Sequence, residues 1–116
     1  MNDTQGKVWG ETAVLLETPF FSIHILDIKA GGFCSEHRHA AKYNDFVVIS
    51  GRLEITIFRE GDTFEDKTIL GPQGKTEIEP GVWHKFRALK DTRCLEIYRV
   101  ELRNEDIDRR SHGGKE

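Results

Sequence analysis

Five histidines occur in the chain, and two of them stand one residue apart in His37-Arg38-His39. On extended backbone successive side chains alternate between faces, so this spacing aims both imidazoles the same way, close enough to converge on one ion. A third, His84, follows a Pro80-Gly81 turn much later in the sequence, where a sandwiched or closed sheet could set it opposite the pair. The chemistry open to such a set is the binding of a divalent metal by neutral imidazole nitrogens, a donor that accepts zinc, iron, manganese or nickel. On spacing alone the alternative, surface histidines that bind nothing, stays equally open.

The elements that must position these residues read as short strands. Residues 8–16 and 20–28 are β-type runs separated by Thr18-Pro19. In the second, Phe21, Ile23, Ile25 and Asp27 share one parity and His24, Leu26 and Ile28 the other. Runs 45–49 and 53–58 flank Ser50-Gly51-Arg52, a hairpin in which Gly51 supplies the positive φ. Further runs at 63–70, 75–79, 83–89 and 93–100 are punctuated by Gly71-Pro72, Pro80-Gly81 and Lys90-Asp91, with Gly81 permitting the turn that aims the strand of His84. Seven or eight short strands predict an all-β sandwich or barrel, because no helical period long enough for a crossover precedes residue 103. From Asn104 the pattern changes. A capping Asn, Glu105 and Asp106 in a first turn and Arg109 and Arg110 in a last one predict a short helix followed by a frayed tail. The expectation is one domain over residues 1–116, with its core in 8–102 and the helix and tail in 103–116.

Composition bounds the partners. A chain of 116 residues with 37% apolar content fills one small core, and the poor surface-to-volume ratio makes a second subunit useful, so a homodimer is expected. Seventeen Lys and Arg are interspersed with 20 Asp and Glu, leaving no basic stripe for a nucleic acid. Residues 1–7 hold no apolar h-region, and no run approaches the roughly 18 residues that span a bilayer, which predicts a cytoplasmic protein with no membrane partner. Cys34 and Cys94 lack any C-x-x-C spacing and read as reduced thiols rather than a disulfide.

Two longer patterns carry a resemblance. Gly31, five residues, His37-Arg38-His39, four residues, Asn44, six residues and Gly51 resemble the first motif of the cupin superfamily, and Glu79-Pro80-Gly81-Val82-Trp83-His84 resembles the second. The resemblance implies a cupin-type jelly-roll β-barrel holding a divalent metal on His37, His39 and His84. The family's glutamate position is Asn44 here, which offers a neutral carbonyl oxygen as a fourth ligand. A site of neutral donors leaves more positive charge on the ion, which favours a small polar, anionic or chelating ligand. Asp45, one residue on, should face the other side of its strand.

Within the superfamily the chain resembles the isolated C-terminal cupin domain of type II mannose-6-phosphate isomerase and mannose-1-phosphate guanylyltransferase. Trp9-Gly10, the run 21–28 with Lys29-Ala30-Gly31, the run 46–51 and the tail 104–109 carry this likeness, while the guanylyltransferase domain is absent. It implies an isomerase on a small sugar or sugar phosphate, which needs a base to move a proton between carbons. Glu96 and Glu54 are the candidates, both on strands, and one of them could project inward. Lys42 and Tyr43 would attract phosphate at the rim, and Trp83 and Phe86, flanking His84, would line the cavity mouth. Two other functions remain open. Three histidines without a carboxylate match the ligand set of some cupin non-haem iron dioxygenases, and the lack of a convincing base suits a non-catalytic binding or accessory protein.

Overall fold

In the computed structural model the described residues are 4–59, 65–100, 110–111 and 113–115. Nine strands lie among them, β1 (Thr4–Lys7), β2 (Gly10–Glu17), β3 (Phe21–Ile28), β4 (Tyr43–Ser50), β5 (Leu53–Phe58), β6 (Glu65–Leu70), β7 (Lys75–Ile78), β8 (Trp83–Ala88) and β9 (Thr92–Arg99). The period-two pattern sets which face is buried. In β4, Asn44, Phe46 and Val48 are buried while Asp45 and Val47 are half-exposed.

The strands make two antiparallel sheets, one of six strands in the order β1-β2-β3-β9-β4-β7 and one of three in the order β6-β5-β8. Leu26, Ile28, Phe46 and Val48 of the larger sheet join Leu53, Ile55, Phe86 and Ala88 of the smaller in one core cluster, each at most 3% exposed. A fully buried side chain of the larger of these types contributes about 1.5–3 kcal/mol to folding. Residues 31–39 run antiparallel along β8 without forming a continuous strand. Gly31 N donates to Ala88 O at 2.8 Å, Cys34 N to Phe86 O at 3.2 Å and His37 N to His84 O at 3.0 Å.

The expected closed barrel does not form. Every regular element among the described residues is a strand, but no ladder among them joins β1 or β7 to the smaller sheet. Strand β6 is an edge whose first five residues, Glu65, Asp66 and Lys67 among them, are exposed, and charges on an edge discourage further pairing. The turn 71–74 then carries the chain out of that sheet. Gln73 adopts φ 70° there, and its N–H donates to Val48 O at 2.8 Å, delivering β7 to β4 rather than back to β6. No helix occurs among the described residues; the helix expected from Asn104 lies outside them except for Arg110 of its last turn, which is in a bend. The run expected at 8–16 begins only at Gly10, with residues 8 and 9 in a turn after β1, which pairs with β2 from Thr4↔Ala13 to Lys7↔Gly10.

Gly51 turns the β4–β5 hairpin at φ 96°, and a Cβ there would press on Asp91 O and Thr92, so backbone conformation and space both demand glycine. Gly81 has φ 82° with open space around it, so only its conformation restricts the residue.

Candidate metal centre

The two histidine segments meet through their backbones. His37 and His84 form an isolated antiparallel bridge, with His84 N donating to His37 O at 2.9 Å and His37 N to His84 O at 3.0 Å, so their side chains leave the same face side by side. Their ring centroids lie 4.5 Å apart. His39 is fixed by the Pro80-Gly81 turn, whose Gly81 N donates to His39 O at 2.7 Å, and its ring stands 5.2 Å from His37 and 5.7 Å from His84. One ring nitrogen from each histidine lies within 4.8 Å of the other two, a cluster able to hold a metal ion.

Hydrogen bonding leaves these rings suited to that task. His37 Nδ1 donates to Ser35 O at 2.7 Å and His84 Nδ1 to Val82 O at 2.9 Å, which leaves each Nε2 as the lone-pair atom of a neutral imidazole. His39 Nε2 is buried with no hydrogen-bond partner. Burial pushes the pKa of His39 down to about 4, helped by the neighbouring His37 and His84, and burial also lowers that of His84. His84 Nε2 faces Asn44 Oδ1 at 2.9 Å, while Asn44 Nδ2 donates to Glu96 Oε2 at 3.3 Å. A lone pair facing a carbonyl oxygen, together with an unpartnered buried nitrogen, is a donor set that a cation satisfies, so the residues fit a divalent metal.

Beside the cluster lies a cavity of about 770 Å³ that His37, Glu96, Tyr98, His24 and Phe86 help to line. Glu96 reaches it because β9 turns Cys94, Glu96 and Tyr98 inward, and burial holds its carboxyl above the usual carboxylate range against the opposing influence of Tyr98 and Asn44. Burial likewise raises the Tyr98 phenol. His24, opposite Glu96 in the β3–β9 register, stands edge-on to Tyr98 at 5.5 Å with Nε2 3.1 Å from Ser22 Oγ, and burial lowers its pKa. Its inward direction follows from the parity it shares with buried Leu26 and Ile28, a signal present in the sequence although His24 was not among the expected site residues.

The remaining expected site residues separate. Phe86 joins the cavity, edge-on to Trp9 at 5.2 Å. Trp83 takes the opposite parity, lies under the Arg38 guanidinium at 4.5 Å, and lines a different cavity of about 440 Å³ with Phe58 and Val82. Glu54 is not among the residues lining the metal-side cavity; its carboxylate lies 4.0 Å from Lys67 Nζ across the β5–β6 pair. Tyr43 lies beneath the Arg99 guanidinium at 4.4 Å, on the face where Arg99 Nε pairs with Asp45 at 2.6 Å. Lys42 rests over the Tyr98 ring at 4.6 Å and borders a smaller cavity of about 200 Å³. Both cysteines are unbonded. Cys34 Sγ accepts the Phe86 N–H at 3.2 Å, its pKa pushed up to about 11 by burial, so it is a thiol and stands outside the metal cluster.

Comparison with known proteins agrees with this architecture. The TehB-like domain model matches residues 31–95, a span that holds all three histidines and Asn44. KdgF from Halomonas sp. superimposes with a TM-score of 0.73 at 19% identity over 86% of this chain and 89% of its own. The capsular polysaccharide assembling protein CapF of Staphylococcus aureus gives 0.75 at 21% identity over 91% of this chain but 30% of its own. A cupin superfamily protein of Desulfitobacterium hafniense gives 0.66 at 16% identity over 78% and 76% of the two chains. The fold is thus the cupin fold, and none of these three is a mannose-6-phosphate isomerase. No curated protein matches the sequence.

Proposed function

We propose, from the premise that this chain belongs to the TehB-like domain family, that its three-histidine centre is the active site of a non-haem iron dioxygenase acting on a small anionic or chelating molecule. The observation that carries this reading is the ligand set itself: three convergent imidazoles with no carboxylate among them. Neutral donors leave the charge of the ion undiminished for an anionic substrate. A ferrous ion held by His37, His39 and His84, with Asn44 Oδ1 as a further donor, would supply Lewis acidity and an electron source for dioxygen.

The chain's own residues supply the rest. Glu96, with its carboxyl above the usual range, is placed to accept a proton from a substrate hydroxyl entering beside His37. Asn44 holds that carboxyl in position through its Nδ2. The test loads the protein with ferrous iron under anaerobic conditions and follows oxygen consumption over a panel of small molecules with adjacent oxygens. Iron-dependent uptake, lost in His84→Ala and slowed about 100-fold or more in Glu96→Gln with iron content unchanged, is the expected result. Retention of zinc with no oxygen uptake for any member would refute the proposal.

Glu96 also favours a second reading, since a carboxylate beside a metal centre is what a sugar-phosphate isomerase uses to move a proton between adjacent carbons. Interconversion of aldose and ketose phosphates by metal-loaded protein, without oxygen uptake, would decide for it. Saturable binding with neither kind of turnover would place the chain among non-catalytic binding proteins.

A further inference from the structure

We infer that the molecule received by this centre has a flat apolar ring with its polar oxygens along one edge, rather than a polyhydroxylated sugar body; the inference rests on the metal-centre reading above. The cavity is chemically divided. On one side His24 from β3 and Glu96 and Tyr98 from β9 stand beside His37, so polar atoms of a ligand find partners there. Most of the remaining lining is apolar, with Val8 and Trp9 from the β1–β2 turn, Val14 from β2, Phe33 from the segment along β8, and Phe86 from β8 itself. Thr12 and Ser35 supply hydroxyls and Lys7 an ammonium among these remaining residues, with the indole N–H of Trp9 as a further donor.

A sugar carries hydroxyls around its whole body, and those turned toward these apolar side chains would give up water without gaining hydrogen bonds. A ring with oxygens on one edge matches both halves. Trp9 and Phe86 already meet edge to face, at 5.2 Å between centroids and 82° between planes, an arrangement that a third ring can extend. The mouth repeats the preference. Val8 and Phe33 border the cavity yet are 108% and 62% exposed, and an apolar ligand would cover them where a sugar would leave them in water. The charge pattern disfavours a phosphate, because the cavity lining includes no arginine and a single lysine, Lys7, among the described residues.

Calorimetric titration of the full chain, loaded with one equivalent of zinc to prevent turnover and freed of excess metal, tests this with catechol and mannose 6-phosphate as probes. Catechol is expected to bind at least tenfold more tightly than mannose 6-phosphate. Phe33→Ser, at an exposed position that does not support the core, is expected to weaken catechol at least threefold, and Trp9→Ala at least tenfold, both with zinc stoichiometry unchanged. Equal or tighter binding of mannose 6-phosphate overturns the inference. So does unchanged catechol affinity in both variants, since catechol would then be held by the metal alone. Failure of the wild-type chain to retain zinc would refute the metal reading itself, whereas zinc retained without catechol binding refutes only the ring.

Discussion

Replacing Asn44 with Asp adds a charge to the metal centre without changing the shape of the side chain. Asn44 is 1% exposed, with Oδ1 2.9 Å from His84 Nε2 and Nδ2 3.3 Å from Glu96 Oε2. In the metal-free protein the new carboxylate would face Glu96 at about that second distance, where two unit charges repel by roughly 5 kcal/mol at an effective dielectric of 20. The pair therefore keeps one proton between them, and that shared proton replaces the lost amide donor, so the apo fold loses only about 1 kcal/mol. When a divalent ion is added, that proton can leave and the anion then attracts the ion. With part of the gross attraction offset by repulsion from Glu96, affinity is expected to rise about 10- to 100-fold at pH 8 and the gain to disappear near pH 5, where protons compete with the metal. Competition against a chromophoric zinc chelator from pH 5 to 8 gives the affinities, and calorimetry in two buffers of different ionisation heat counts the protons released. Affinity at or below wild type at pH 8, or a gain that does not vary with pH, would show that Asn44 Oδ1 does not face the ion.

Further outcomes follow from the same geometry. His39→Ala removes a buried nitrogen that has no partner, so metal content measured by atomic emission should fall sharply while the circular dichroism of the apo protein stays that of the parent; unchanged stoichiometry refutes the ligand assignment. Apo stability should decline on acidification. Unfolded histidines protonate near the model value of 6.5, whereas folded His39 resists until about 4 and His24 and His84 are lowered too, so the unfolded state binds more protons in that window and stability is lost as pH falls through it. Glu96, with its raised pKa, acts in the opposite sense, but it is one group against three. A Tm that stays flat between pH 6.5 and 4 contradicts this balance. On the outer face of the larger sheet Ile25, Leu95 and Val47 are neighbours in one cross-strand row, each half-buried, with Ile23 and Ile97 beside them. If that face joins two copies, Leu95→Lys converts a dimer to a monomer by light scattering, and a monomeric wild type ends the idea.

Much of this arrangement was legible as period-two alternation. Strand β5 has the bounds expected for it, and the His37-x-His39 spacing with His84, joined to the motif resemblance, pointed to the cluster. Alternation also separates residues that adjacency groups together. The parity that turns His84 and Phe86 into the interior sends Trp83 the other way, and Tyr43 likewise opposes Asn44. Glu96 and Glu54 look alike locally, each between apolar neighbours, yet their surroundings differ. In β9 Leu95 and Ile97 belong to the apolar outer row and Glu96 faces inward, whereas in β5 Leu53 and Ile55 are core residues and Glu54 takes the opposite parity. Which face of a strand is inside depends on what packs against it, and no local pattern carries that. Barrel closure was illegible for the same reason, because it is decided by whether distant edges pair.

The centre is assembled from two halves with different jobs. His37 and His84 are locked by reciprocal backbone hydrogen bonds on the side of the smaller sheet. Asn44, Glu96, Tyr98 and His24 come from the larger sheet, where the register sets His24 beside Glu96 and Asn44 beside Tyr98. The halves touch where His84 Nε2 meets Asn44 Oδ1 and where the His39 ring stands 4.9 Å from Tyr98. Because no ladder among the described residues closes the sheets there, an ion held by both halves would add a link across the open seam as well as a site for chemistry. Linkage sets its size: at a free metal concentration 100 times the Kd, binding stabilises the fold by about 2.7 kcal/mol. That is a substantial fraction of the 5–15 kcal/mol typical of a folded domain, so altering a seam ligand should lower the Tm of the metal-loaded protein toward that of the apo form while the apo fold itself persists.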